Sequence, residues 1–126
     1  MITEKETRTD LGKIKIHTHA ISSMAYIAAM EIEGVLRIYR GPAPALLEFF
    51  GKDAKFAAVK ISLRENNEID ISIPIVVEYG QDVPRIANLV QENIKQAVEK
   101  MTGLVPVHID VKVKGIEKGQ AKVPRR

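Results

Sequence analysis

Apolar residues along this chain recur at two spacings, and the switches between them divide it into elements. From Lys13 to His19 the spacing is two: Ile14 and Ile16 share one face, and Lys13, Lys15, His17 and His19 share the other, which predicts a strand. A helix is predicted from Ser22 to Glu33, carrying Met24, Ala25, Ile27, Ala28, Met30 and Ile32, with Gly34 placed to stop it. Residues 35–55 are irregular, with a weakly alternating Val35–Tyr39, the breaker Gly41-Pro42-Ala43-Pro44 and a short amphipathic piece from Ala45 to Phe50. Alternation returns in Val59, Ile61 and Leu63, turns over Glu65-Asn66-Asn67-Glu68, and continues as Ile69, Ile71, Ile73, Ile75 and Val77. Pro74 cannot donate to a ladder, so this return strand is expected at an edge or locally bulged. The clearest helical signal runs from Asp82 to Thr102, where Val83, Ile86, Ala87, Val90, Ile94, Ala97, Val98 and Met101 form one stripe. Asp82 suits the N-cap, Pro84 the first turn and Gly103 the stop. A last strand places Val107, Ile109, Val111 and Val113 inward and His108, Asp110, Lys112 and Lys114 outward.

Each strand has one apolar and one polar face. This predicts an α+β fold in which helices cover one face of an antiparallel or mixed sheet, with a ferredoxin-like β-α-β-β-α-β order as the favoured topology. Residues 1–12 read as a flexible N-terminal segment, 13–116 as a single domain and 117–126 as a basic flexible tail. At 126 residues the chain can bury one core. It has no internal repeat.

Composition narrows the function classes. Without cysteine there is no disulfide framework, thiolate nucleophile or cysteine metal site. The segment Met1 to Gly12 is polar and lacks the apolar run of a secretory signal, and no apolar stretch approaches a membrane span, so a cytoplasmic location is expected. The net charge of +3 is carried wholly by Lys118, Lys122, Arg125 and Arg126 against Glu117. A nucleic-acid module concentrates its positive charge on the folded face that grips phosphate, so nucleic acid is not an expected partner.

Candidate chemistry is sparse. His17, His19 and His108 could cluster around zinc or copper if their strands pair, yet lysines alternate with all three and oppose a cation, so no metal is expected. Ser22 and Ser23 beside His19 read as helix N-terminal residues rather than nucleophiles. No glycine pattern forms a phosphate-binding loop, and no cofactor or small-molecule substrate is implied. Two surfaces remain as partner-binding candidates. One is a basic sheet face containing Lys13, Lys15, His17, His19, Lys60, Arg64, His108, Lys112 and Lys114, softened by Asp70, Glu78 and Asp110, with no outward aromatic residue for stacking on bases. The other is the apolar cluster Leu46, Leu47, Phe49 and Phe50.

Several runs carry a resemblance: Ile21 to Val35, ending Glu31-Ile32-Glu33-Gly34-Val35; Ile75-Val76-Val77-Glu78-Tyr79-Gly80 followed by Val83-Pro84; Val90-Gln91-Glu92-Asn93-Ile94; Met101-Thr102-Gly103-Leu104; and the closing Val107 to Ile116. Together they resemble the alkaline shock protein family of bacterial envelope-stress proteins over residues 12–116. The resemblance implies a small cytoplasmic protein without catalytic residues or cofactor. It also implies association with copies of itself and attachment at the membrane through a membrane-anchored partner, while other branches of the family are linked to lipid metabolism. The expected function is therefore a non-catalytic, self-associating scaffold of the cell-envelope stress response. The alternative is a regulatory module for an enzyme of lipid metabolism. Residues 35–55, with Pro42, Pro44, Phe49 and Phe50, depart from the family pattern.

Overall fold

The computed structural model describes residues 4–41 and 56–119. In chain order the elements are β1 (Glu4–Thr9), β2 (Gly12–His17), α1 (Thr18–Met30), β3 (Val35–Ile38), β4 (Lys60–Leu63), β5 (Glu68–Glu78), α2 (Val83–Thr102) and β6 (Val105–Glu117). The class is α+β, as the alternation predicts.

The long strand β5 is the axis of the main sheet. Along one side it pairs antiparallel with β4 through its first half and with β3 through its second half; along the other side it pairs parallel with β6 over its whole length. A parallel neighbour needs a long crossover, and α2 supplies it. The odd-numbered residues Ile69 to Val77 of β5 are buried under the helices. The even-numbered positions Asp70, Ser72 and Pro74 are only half-buried on the opposite face. From α2, Ile86, Val90, Ile94 and Val98 complete the core, and from α1 the small residues Ala25, Ala28 and Ala29 let the helix approach closely.

Strand order departs from the ferredoxin-like arrangement. Residues 13–17 of the run expected as the first strand of the main sheet instead belong to β2, which among the described residues pairs only with β1 in a separate two-stranded hairpin. Residues 4–9 lie in the segment read as flexible, but they form β1. Its sequence Glu-Lys-Glu-Thr-Arg-Thr is polar on both faces, so no apolar period signals a strand. Pairing to β2 holds it, with Lys13 3.9 Å from Glu6 and Lys15 3.8 Å from Glu4 across the ladder. Ile16, at the base of the hairpin, packs on the core, while Leu11 at the tip is fully exposed.

Pro74 lies in a central strand rather than an edge strand. Its carbonyl accepts from Tyr39 N at 2.9 Å, so its missing N–H faces the side of β3 and β4. There the ladder to β3 ends at Ile38–Ile75 and that to β4 begins at Lys60–Ser72, so the imide falls in the break between two short strands. β5 behaves as an edge locally, at this one point.

Helix α1 starts at Thr18, four residues before Ser22. His17 is its N-cap, with Nδ1 accepting from His19 N at 3.1 Å. Ser22 is buried and donates to the Val59 carbonyl at 3.2 Å, and Ser23 donates to the His19 carbonyl. Helix α2 follows its sequence signals closely. Asp82 Oδ1 accepts from Arg85 N, and Gly103 ends the helix in the left-handed region, its N–H donating to the Glu99 carbonyl.

Candidate functional site

The outer face of the main sheet carries the densest polar cluster among the described residues. Register places Ser62 opposite Asp70 and Asp70 opposite His108, a row across β4, β5 and β6. Arg64 donates from Nε to Asp70 Oδ2 at 2.7 Å, and His108 Nδ1 lies 3.0 Å from Asp70 Oδ1 and 3.4 Å from Arg64 Nη2. Partial burial pushes the Asp70 carboxyl up, but the hydrogen bonds from Arg64 and His108 and the charge on both outweigh it, leaving Asp70 below the usual aspartate value. The row contains serine, aspartate and histidine, but the aspartate lies between the other two. Two strand spacings put Ser62 roughly 9–10 Å from His108, beyond proton transfer. The cluster is an ion-paired brace across three strands. At the other end of the same face Arg37 meets Glu117 at 2.9 Å, a second brace reaching from β3 to β6.

The structure divides the basic face expected from sequence. Lys60, Arg64, His108 and Lys112 share the outer sheet face, where Asp70 and Asp110 interleave with them. Lys114 occupies a bulge, where the register to β5 skips one residue of β6. Lys13 and Lys15 lie on the separate hairpin, paired with Glu6 and Glu4. His17 caps α1, and His19 in the first turn packs edge-on against Phe56 at 5.6 Å. The three histidines are not brought together, and among the described residues no three His, Asp or Glu side chains are placed to hold a metal. Leu46, Leu47, Phe49 and Phe50 lie outside the described residues.

Two surfaces were not picked out from the sequence. Helix α1 buries the stripe Ile21, Ala25, Ala28 and Ala29, with Met24 partly buried against the core, but Ile27 and Met30 are exposed. Met24, Ile27, Ala28 and Glu31 of α1 and Ala97 and Met101 of α2 line an apolar hollow of about 210 Å³. Met101, which the periodicity places in the buried stripe of α2, is 65% exposed at its rim. The available signal is that α1 is apolar on more than one face, more than a single core contact can cover. The second surface is the outer edge of β6. Among the described residues no strand pairs with it, and Val107, Val113 and Ile116 are exposed there. Val107 and Val113 read as inward from alternation alone. Val107 instead occupies a bulge, and Val113 faces the helix side at a margin that α2 does not cover.

With the geometry in place, comparison with known proteins is decisive for the family. The family model of the alkaline shock proteins, described by its "cell envelope-related function", matches residues 6–118. The chain belongs to the alkaline shock protein family. This is the family that the sequence runs resemble. Its alkaline shock relatives include the uncharacterized protein YqhY of Bacillus subtilis (strain 168), 37% identical over 109 residues, covering 86% of this chain and 80% of the relative. They also include the uncharacterized protein YloU of the same organism, 27% identical over 113 residues, covering 88% of this chain and 93% of the relative. No solved structure matches the chain. The match begins inside β1 and ends just past β6, so the hairpin and the edge strand both belong to the alkaline shock protein unit.

Proposed function

We propose that this alkaline shock family chain is a non-catalytic cytoplasmic scaffold of the cell-envelope stress response, associating with copies of itself and held at the membrane by a membrane-anchored partner. The observation that carries this reading is the family match over residues 6–118, with its cell-envelope-related function. No described helix is long and apolar enough to cross a membrane, so in this reading a partner makes the link to the envelope. The surfaces are of the kind used in protein association. The outer face carries ion pairs of both signs, and the helix side carries an apolar hollow with Ile27 and Met101 more than half exposed. Asp70, Arg64 and His108 engage one another, which suits a structural brace better than a group poised to react. Nucleic acid and small-molecule substrates have no part in the proposal.

The test is a tagged pull-down from gently solubilised cells, read by mass spectrometry. The expected result is recovery of an integral membrane protein together with untagged copies of this chain. Recovery of a soluble enzyme at fixed stoichiometry, with no membrane protein, would overturn the scaffold and make the chain a regulator, with an enzyme of lipid metabolism as the first candidate.

A further inference from the structure

The outer edge of β6 presents backbone groups on the side away from β5. At its two ends the strand is turned toward β5: Val105 N donates to the Asn67 carbonyl at 2.8 Å, and the Glu117 carbonyl accepts from Tyr79 N at 2.7 Å. Between them lie two bulges, at Val107 and Lys114, which bound a regular stretch from His108 to Val113. Within that stretch the Ile109 carbonyl accepts from the Gln91 side chain at 2.9 Å, which places it on the side away from β5. Backbone groups of successive strand residues alternate between edges, so Ile109, Val111 and Val113 aim their N–H and C=O groups outward. Their side chains face the helices, and those of His108, Asp110 and Lys112 face the outer surface.

We infer that this edge pairs antiparallel with β6 of a second copy, across a two-fold axis at Val111. The inference rests on the self-association in the proposed function and supplies its interface. Three requirements select the register. The apolar side chains of both copies must stay on the helix side, so each residue must face one of like parity. Outward-aimed backbones must meet, which pairs the odd positions. Like charges must not stand directly opposite. Centring on Asp110 sets Asp110 against Asp110, centring on Lys112 sets Lys112 against Lys112, and centring on Val113 carries the pairing across the bulge at Lys114. Centring on Val111 sets Asp110 against Lys112 twice, Ile109 against Val113 twice and Val111 against itself. The Asp110–Lys112 pairs fall at the non-hydrogen-bonded positions, where side chains come closest. Centring on Ile109 leaves Lys112 facing Pro106 and makes Asp110 rely on His108, which already engages Asp70. The Val111 register joins two sheets into one, keeps the helices of both copies on one side, and covers the margin where Val113 is now exposed. An unprotected edge normally invites indiscriminate pairing. Here the bulges and the alternating charges restrict the edge to one register.

The test uses charge exchange in the full chain, with mass followed by analytical ultracentrifugation over a concentration series. Asp110→Lys and Lys112→Asp should each weaken self-association about tenfold or more. A one-to-one mixture of the two variants should form a mixed dimer, because each Lys then faces an Asp, and D110K/K112D should behave as wild type. Unchanged thermal melting controls for folding. Because the chain has no cysteine, Val111→Cys should give an oxidised dimer, since that residue alone meets its own copy. If wild type associates but both single exchanges leave the mass unchanged, the interface is wrong and the scaffold survives. Association lost only on deleting the β1–β2 hairpin would likewise overturn the edge pairing in favour of the arm. A wild-type chain that stays monomeric at every concentration would sink both.

Discussion

At Gly34 the backbone φ is +105°, and a Cβ built there would stand 2.7 Å from Ile86 Cδ1. The residue joins α1 to β3 and lets that connection lie against the first turn of α2, so two requirements fall on one position. Gly34→Ala is expected to destabilise the fold by more than about 1 kcal/mol, seen as a lower urea midpoint with an unchanged slope. Asp70 poses an electrostatic question. Its carboxyl titrates below the usual aspartate value because, although partial burial pushes it up, Arg64 and His108 hold the ionised form. A group with a depressed folded-state pKa adds stability above its unfolded pKa and loses that contribution as pH falls through the folded value. Asp70→Asn should therefore be less stable than wild type at neutral pH, and the gap should close below the usual aspartate range. Paired melting curves from neutral to strongly acid pH check this, and a gap that is constant throughout would refute the brace. The site is exposed and salt-screened, so the gap should also shrink at high ionic strength.

Among the elements, the β4–β5 hairpin turns on two residues in the left-handed region, Asn66 at φ 60° and Asn67 at φ 65°, closed by Glu68 N donating to the Glu65 carbonyl at 3.2 Å. Positive φ at both central residues of the four-residue turn Glu65–Glu68 is the type I′ geometry, which the short polar side chain of asparagine tolerates better than an apolar one does. Asn67→Ala is expected to cost about 1–2 kcal/mol and Asn67→Gly to cost nothing, compared by thermal melting. This hairpin was legible in the sequence, as was α2 with its cap and stop, because each has a local cause: alternation, turn chemistry, an N-cap and a terminal glycine. What escaped had no local cause. β1 lacks an apolar face and exists only through its ladder to β2. Ile27 and Met30 of α1 look like core until the core is seen to be filled by Ile21 and the alanines, with Met24 packed at its margin. Pro74 argued for an edge because sequence cannot show that two short strands share one side of β5 and leave a break opposite the imide.

On the scale of the whole molecule, the proposed site was only partly visible, since a basic face inferred from strand parity assumes that all strands share a sheet. The hairpin took Lys13, Lys15 and His17 out of it, and Asp70 and Asp110, which the sequence already places on that face, neutralise much of what remains. That leaves the excess charge where the sequence puts it, beyond Glu117. The structure refines the boundary: Glu117 is the last residue of β6, pairs with Arg37 at 2.9 Å and accepts from Tyr79 N, so it belongs to the fold and not to the tail. Deletion should therefore begin at Lys118. It removes Lys118, Lys122, Arg125 and Arg126 and takes the net charge from +3 to −1. Any retention of the full chain on a polyanion column is expected to depend steeply on salt and to vanish in the truncated chain, while its melting temperature stays within about 2 °C of wild type. Retention that survives the truncation would mean that the folded face itself grips phosphate. The interleaved carboxylates of Asp70 and Asp110 argue against that outcome, because each places a negative charge among the cations that a nucleic-acid backbone would need.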